Sequence, residues 1–86
     1  MPFFIKKLVT IEAVQWDGTK AAWDQIHAMG EIKWEPGEMG SETFSIQTID
    51  GNWAHIHKGT WVCKGVQGEF YPCRPDIFDA TYAPAR

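Results

Sequence analysis

A chain of 86 residues has room for one hydrophobic core, because two packed cores would each fall below the size at which burial outweighs chain entropy, and residues 1–86 read as a single domain. Hydrophobic residues at 44% and charged residues at 22% fall in the globular range, which excludes a disordered chain, a collagen-like repeat and a coiled coil. Eight Lys and Arg against 11 Asp and Glu leave a net charge of -3, the wrong sign for neutralising a run of phosphates, so duplex nucleic acid is not an expected partner.

The first ten residues place Lys6 and Lys7 after the apolar Phe3, Phe4 and Ile5, the reverse of a signal peptide. No window reaches the ~18 uninterrupted apolar residues of a membrane span. The expectation is a cytosolic protein without a membrane partner, in which Cys63 and Cys73 stay reduced and pack as small core residues.

Lys7 to Trp16 (KLVTIEAVQW) is rich in β-branched residues and free of Gly and Pro, which predicts a strand. Its imperfect alternation predicts a central strand covered on both faces. After Asp17-Gly18-Thr19 the period changes. Ala22, Trp23, Ile26 and Met29 fall on one helical face with Asp24, Gln25 and His27 opposite, which predicts a helix over Lys20 to Met29. Asp17 or Thr19 supplies its N-cap, and Gly30 suits a left-handed residue after its last turn. Ile32 to Trp34 reads as a short strand. Glu35 to Glu42, with Pro36, Gly37 and Gly40, reads as a flexible loop within a solvated acidic stretch that starts at Glu31 and includes Glu38.

Thr43 to Ile49 and Asn52 to His57 flank Asp50-Gly51, the dipeptide suited to a two-residue type I′ turn. That turn sets Ile46 opposite His55 and Thr48 opposite Trp53. One face then carries Phe44, Ile46, Thr48, Trp53, His55 and His57, and the aromatic face is assigned to the core or to a partner surface. Trp61 to Lys64 and Glu69 to Cys73 read as two further strands joined by a reversal at Gly65 to Gly68, with Pro72 marking a sheet edge. Pro75-Asp76 can open a last short helix through Tyr82, with extended structure as the alternative, and Ala83 to Arg86 should fray. The expected fold class is α+β, an antiparallel sheet of about five strands packed on one α-helix.

His55 and His57 stand two apart on a strand, and Cys63 and Cys73 are the atom types that would complete a zinc site. Neither cysteine has a partner at the spacing of a zinc knuckle, so no metal and no cofactor is expected. Lys58 and Lys64 precede Gly59 and Gly65 between strands, the reverse of a phosphate-binding loop, and no nucleophile elbow is present. Glu69 and Asp76 read as solvated acids. These absences predict a protein that is not an enzyme. Five Trp in 86 residues call for an explanation. Trp16 and Trp23 suit the core, whereas Trp34, Trp53 and Trp61 lie near turns and short strands, where an indole serves a core or an interface equally well.

Two stretches, Ile11 to Gly18 (IEAVQWDG) and Gly59 to Tyr82 (GTWVCKGVQGEFYPCRPDIFDATY), resemble an uncharacterised family of small proteins of tailed phages and prophages. In that family an N-terminal IEAVQW strand is coupled to a C-terminal KGVxGEFYPCxPDIFxxTY signature. Thr60 replaces the family's usual acidic residue, Cys63 occupies an aliphatic position, and the resemblance does not extend through Lys20 to Lys58. It implies phage origin and brings no established reaction or binding residue with it. With the surplus aromatics, it sets the expectation of a phage accessory protein in the host cytoplasm that binds and inhibits a host protein, an antiviral defence component. The candidate binding residues are Trp53, Trp61, Lys64, Tyr71 and Arg74. A rival expectation is a sponge for a nucleotide-derived defence signal, with Trp61, Tyr71, Lys64 and Arg74 lining an intersubunit pocket. A third is a minor virion or assembly component. An open sheet edge points to a homo-oligomer.

Overall fold

The computed structural model describes residues 2–3, 9–37 and 42–83, and over these the chain is α+β. In chain order the elements are β1 (Glu12–Gln15), α1 (Lys20–Ala28), β2 (Trp34–Pro36), β3 (Phe44–Gln47), β4 (Trp53–Ile56), β5 (Trp61–Lys64), β6 (Phe70–Cys73) and α2 (Pro75–Thr81). The strands form two antiparallel three-stranded sheets, β1-β5-β6 and β2-β3-β4, where sequence had suggested about five strands in one. Parts of three expected segments, Lys7 and Leu8 of the first strand, Glu38 to Ser41 of the acidic loop and 84–86 of the frayed end, lie outside the described residues. Among the described residues no helix is long and apolar enough to cross a membrane.

β1 is shorter than expected and lies at a sheet edge, not in the centre. The central place belongs to β5, whose neighbours Val62 and Cys63 point to opposite faces and are both 0% exposed. Val62 meets Val14 of β1 on the inner face, while Cys63 sits between Ala13 and Tyr71 on the outer face beneath α2. At the far edge, β6 places Pro72 opposite Val62, and proline is tolerated there because no neighbouring strand needs its missing N–H.

α1 follows its sequence signals closely. Thr19 is the N-cap and its hydroxyl accepts from the Ala22 N–H at 3.2 Å, which satisfies one of the free donors of the first turn. Asp17 stands two residues further out and accepts from the Thr19 N–H at 3.0 Å. Ala22, Ile26 and Met29 are buried as the helical stripe requires. His27 departs from its expected outward position: it packs against Trp23 with ring centroids 4.3 Å apart, and its buried Nε2 has no hydrogen-bond partner among the described residues. Gly30 has φ 154°, a region open to glycine but distinct from the left-handed helical value of about 57° that was expected.

The hairpin corrects the expected register. Phe44 pairs with Ile56, Ser45 with His55, Ile46 with Ala54 and Gln47 with Trp53, one residue away from the pairing of a two-residue turn. The loop has three residues, Ile49-Asp50-Gly51. The Gly51 N–H donates to the Thr48 carbonyl at 3.0 Å and the Thr48 N–H to the Asn52 carbonyl at 2.9 Å. Gly51 takes φ 85° while Asp50 stays at negative φ, which excludes type I′ and matches a type I turn closed by a left-handed glycine. Asp50 holds the turn by accepting from the Thr48 hydroxyl and from the Asn52 N–H. The one-residue shift turns β4 over: Phe44, Ile46, Ala54 and Ile56 face the core, and Trp53, His55 and His57 leave it.

β2 begins at Trp34, later than the expected Ile32–Trp34 segment, and runs into Pro36. The Gln47 N–H donates to the Lys33 carbonyl and the Gly37 N–H to the Thr43 carbonyl, each at 3.0 Å, so Pro36 falls where a backbone N–H would face away from β3. A single core joins the layers. Ile26 of α1, Ile46 and Ile56 of one sheet and Val62 of the other are all 0% exposed within one cluster.

Candidate binding surfaces

Five residues singled out from sequence occupy four different places. Trp53 lies on the outward face of β4 and is 44% exposed. On the same side stand Ser45, Gln47, His55 and the exposed His57. Ser45 is buried, and its hydroxyl lies 3.1 Å from His55 Nδ1, which orients that imidazole. The His55 and His57 rings are 6.2 Å apart. Ile49, 70% exposed, extends the apolar surface at the hairpin loop.

Trp61 and Tyr71 share the outer face of the β1-β5-β6 sheet. Trp61 stacks on Phe78 of α2, with ring centroids 4.0 Å apart and planes inclined by 7°. Phe78 continues to Tyr82 at 5.0 Å, and the Tyr82 hydroxyl meets that of Tyr71 at 3.4 Å. Burial and then this hydroxyl contact push the Tyr71 phenol above its ordinary value. Beneath α2, burial and the neighbouring Cys73 push the Cys63 thiol up to about 12, so it stays a neutral packing group and is a poor nucleophile. No disulfide joins Cys63 and Cys73.

Lys64 points the other way. Its ammonium donates to the Met29 carbonyl at 2.7 Å, satisfying a free acceptor at the end of α1. Arg74 leaves the sheet after β6 and pairs with Asp76 at 3.0 Å on the surface. Trp61 and Tyr71 are thus brought together, whereas Lys64, Arg74 and Trp53 are each directed elsewhere. His55 lies in one sheet with His57 just past the end of its strand, Cys63 and Cys73 lie in the other, and among the described residues no cluster of three or more His, Cys, Asp or Glu is placed to hold a metal ion.

Two cavities flank β1. The larger, about 780 Å³, lies between residues 9–13 and α2, with Trp61, Phe78 and Tyr82 as its aromatic wall and Asp79 among its lining. The smaller, about 350 Å³, lies toward α1 and is lined by Gln15, Asp17 and Gln25 among others. Ala13 and Trp61 line both. Hydrogen bonds from the Thr19 hydroxyl and N–H, with a smaller contribution from the Lys58 charge, hold the Asp17 carboxyl below its ordinary value. Sequence reasoning missed both cavities. Their walls come from residues 9–19, Trp61 and the two helices, and no local signal in any one of these segments records that they meet.

Nothing among protein-family models, curated proteins or solved structures matches the chain.

Proposed function

We propose that this is a phage accessory protein that acts by binding and not by catalysis: in the host cytoplasm it covers a host protein, an antiviral defence component, and so inhibits it. The observation that carries the reading is the outward β4 face, where Trp53 is 44% exposed beside two exposed histidines and the exposed Ile49 of the hairpin loop. A tryptophan that gives up part of its burial in so small a protein is the type of side chain on which interface energy concentrates. The resemblance of IEAVQWDG and GTWVCKGVQGEFYPCRPDIFDATY to phage proteins supplies the biological context.

The test compares the tagged protein with its Trp53→Ala variant in host lysate, followed by reconstitution with the purified partner. The expected result is stoichiometric capture of one host protein whose own activity falls on binding, with affinity at least tenfold weaker for the variant, as for a central interface tryptophan worth about 2 kcal/mol or more. Equal capture by both proteins, or capture without inhibition, would overturn it.

The nucleotide-sponge reading keeps one supporting observation: the cleft beside Trp61 and Phe78, about 780 Å³, is of small-molecule size. Lys64 lies on the opposite side of the sheet, so phosphate charge would have to be met by other groups. Cyclic nucleotides or ADP-ribose derivatives that raise the melting temperature at saturation would favour this reading over inhibition. Recovery of the protein in purified particles would favour the virion role instead.

A further inference from the structure

Four strands lie at sheet edges, and proline marks two of them. β2 carries Pro36 and β6 carries Pro72, each at a position where an outward N–H would otherwise be offered to another chain. β1 has no such protection. The Trp16 N–H donates to the Thr60 carbonyl at 2.9 Å, and alternation along the antiparallel ladder assigns the bonds toward β5 to Val14 and Glu12. The Gly65 to Glu69 bond at 2.8 Å shows the complementary alternation on the other side of β5, where Cys63 and Trp61 bond toward β6. The backbone groups of Ile11, Ala13 and Gln15 therefore point away from the sheet, and among the described residues none of them meets a backbone partner.

The two cavities lie along this same edge and share Ala13. A strand laid against β1 would direct alternate side chains to its two sides, one set toward the apolar cleft by Trp61 and Phe78 and the other toward the smaller pocket at α1. Asp79 in the first and Asp17 in the second are the charged side chains of the linings, with no Lys or Arg in either, and Lys58, the cation that acts on Asp17, is itself paired with Glu42. A second copy of this chain fits poorly, because residues 9–17 carry Glu12 and Asp17 and no base, so self-pairing would place acid near acid.

We infer that the open edge of β1 is a docking site for an extended, basic segment of a partner protein, which adds as a fourth strand with bulky apolar side chains over Trp61 and Phe78 and a lysine or arginine toward Asp17. This site is separate from the outward β4 face and does not depend on it.

The probe is an end-blocked seven-residue peptide alternating isoleucine and lysine, titrated against the full chain by calorimetry. Saturable one-to-one binding is expected, at least tenfold weaker when one alternate set of peptide amides is N-methylated and also when glutamate replaces lysine. Ala13→Pro removes one outward N–H while leaving the ladder to β5 intact, and it should weaken binding at least tenfold with the thermal midpoint retained. The Trp53→Ala variant should bind the probe as the parent does, which keeps failure here distinct from failure of the host-inhibition reading. Absent binding, equal binding of the glutamate peptide, insensitivity to methylation of either set, or a dimer of the free protein that Ala13→Pro dissolves would overturn the inference.

Discussion

Cys63 shows how position decides the chemistry of a side chain. It lies at the centre of the β1-β5-β6 sheet with no exposed surface, and burial holds its proton to about 12 against an ordinary value of 9.0. Above pH 9 the unfolded chain releases a proton that the native chain keeps, so stability falls as pH rises through that window. Tyr71, also raised by burial, adds a change of the same sign at higher pH. Denaturation midpoints should therefore decline from pH 9 to pH 11. Cys63→Ala should flatten the decline without abolishing it, and parallel curves for variant and parent would refute the assignment.

The hairpin carries the lesson at the level of elements. Asp-Gly is a strong signal for a two-residue turn, yet the chain closes with three residues, because that register puts Phe44, Ile46, Ala54 and Ile56 on one buried face. The apolar parity of the two strands was readable in advance. It outweighs the turn preference of Asp50-Gly51 and puts the aromatic face on the side away from Ile46. Deleting Ile49 should leave Thr48 paired with Asn52 and restore Asp50-Gly51 as a two-residue loop, so the strands keep their faces. Stability should change by no more than about 1 kcal/mol, because the deleted side chain is 70% exposed. Loss of the native amide spectrum would show that the three-residue loop is essential to the register.

Across the whole molecule the two sheets and α1 share one interior, so neither sheet holds a core of its own. Unfolding should be a single transition, with tryptophan fluorescence and far-ultraviolet dichroism changing together. Ile46→Ala, at a fully buried position, should lower stability by roughly 2–5 kcal/mol while the two signals stay coincident. Separated transitions would mean that the sheets fold independently. The same architecture places α2 on the outer face of the β1-β5-β6 sheet, where it stacks Phe78 on Trp61 and forms the wall of the larger cleft.

What sequence alone determined was local: the α1 stripe with a cap at Asp17 or Thr19, the edge position of Pro72 and the α+β class. Each depends on periodicity or on backbone chemistry confined to a few neighbours. The division into two sheets, the exposure of Trp53, the opposite directions of Trp61 and Lys64, and the open edge of β1 between its two cavities were decided only by tertiary packing. Each requires segments distant in sequence to compete for one small interior, and which strand is central or which indole is covered is a property of that competition.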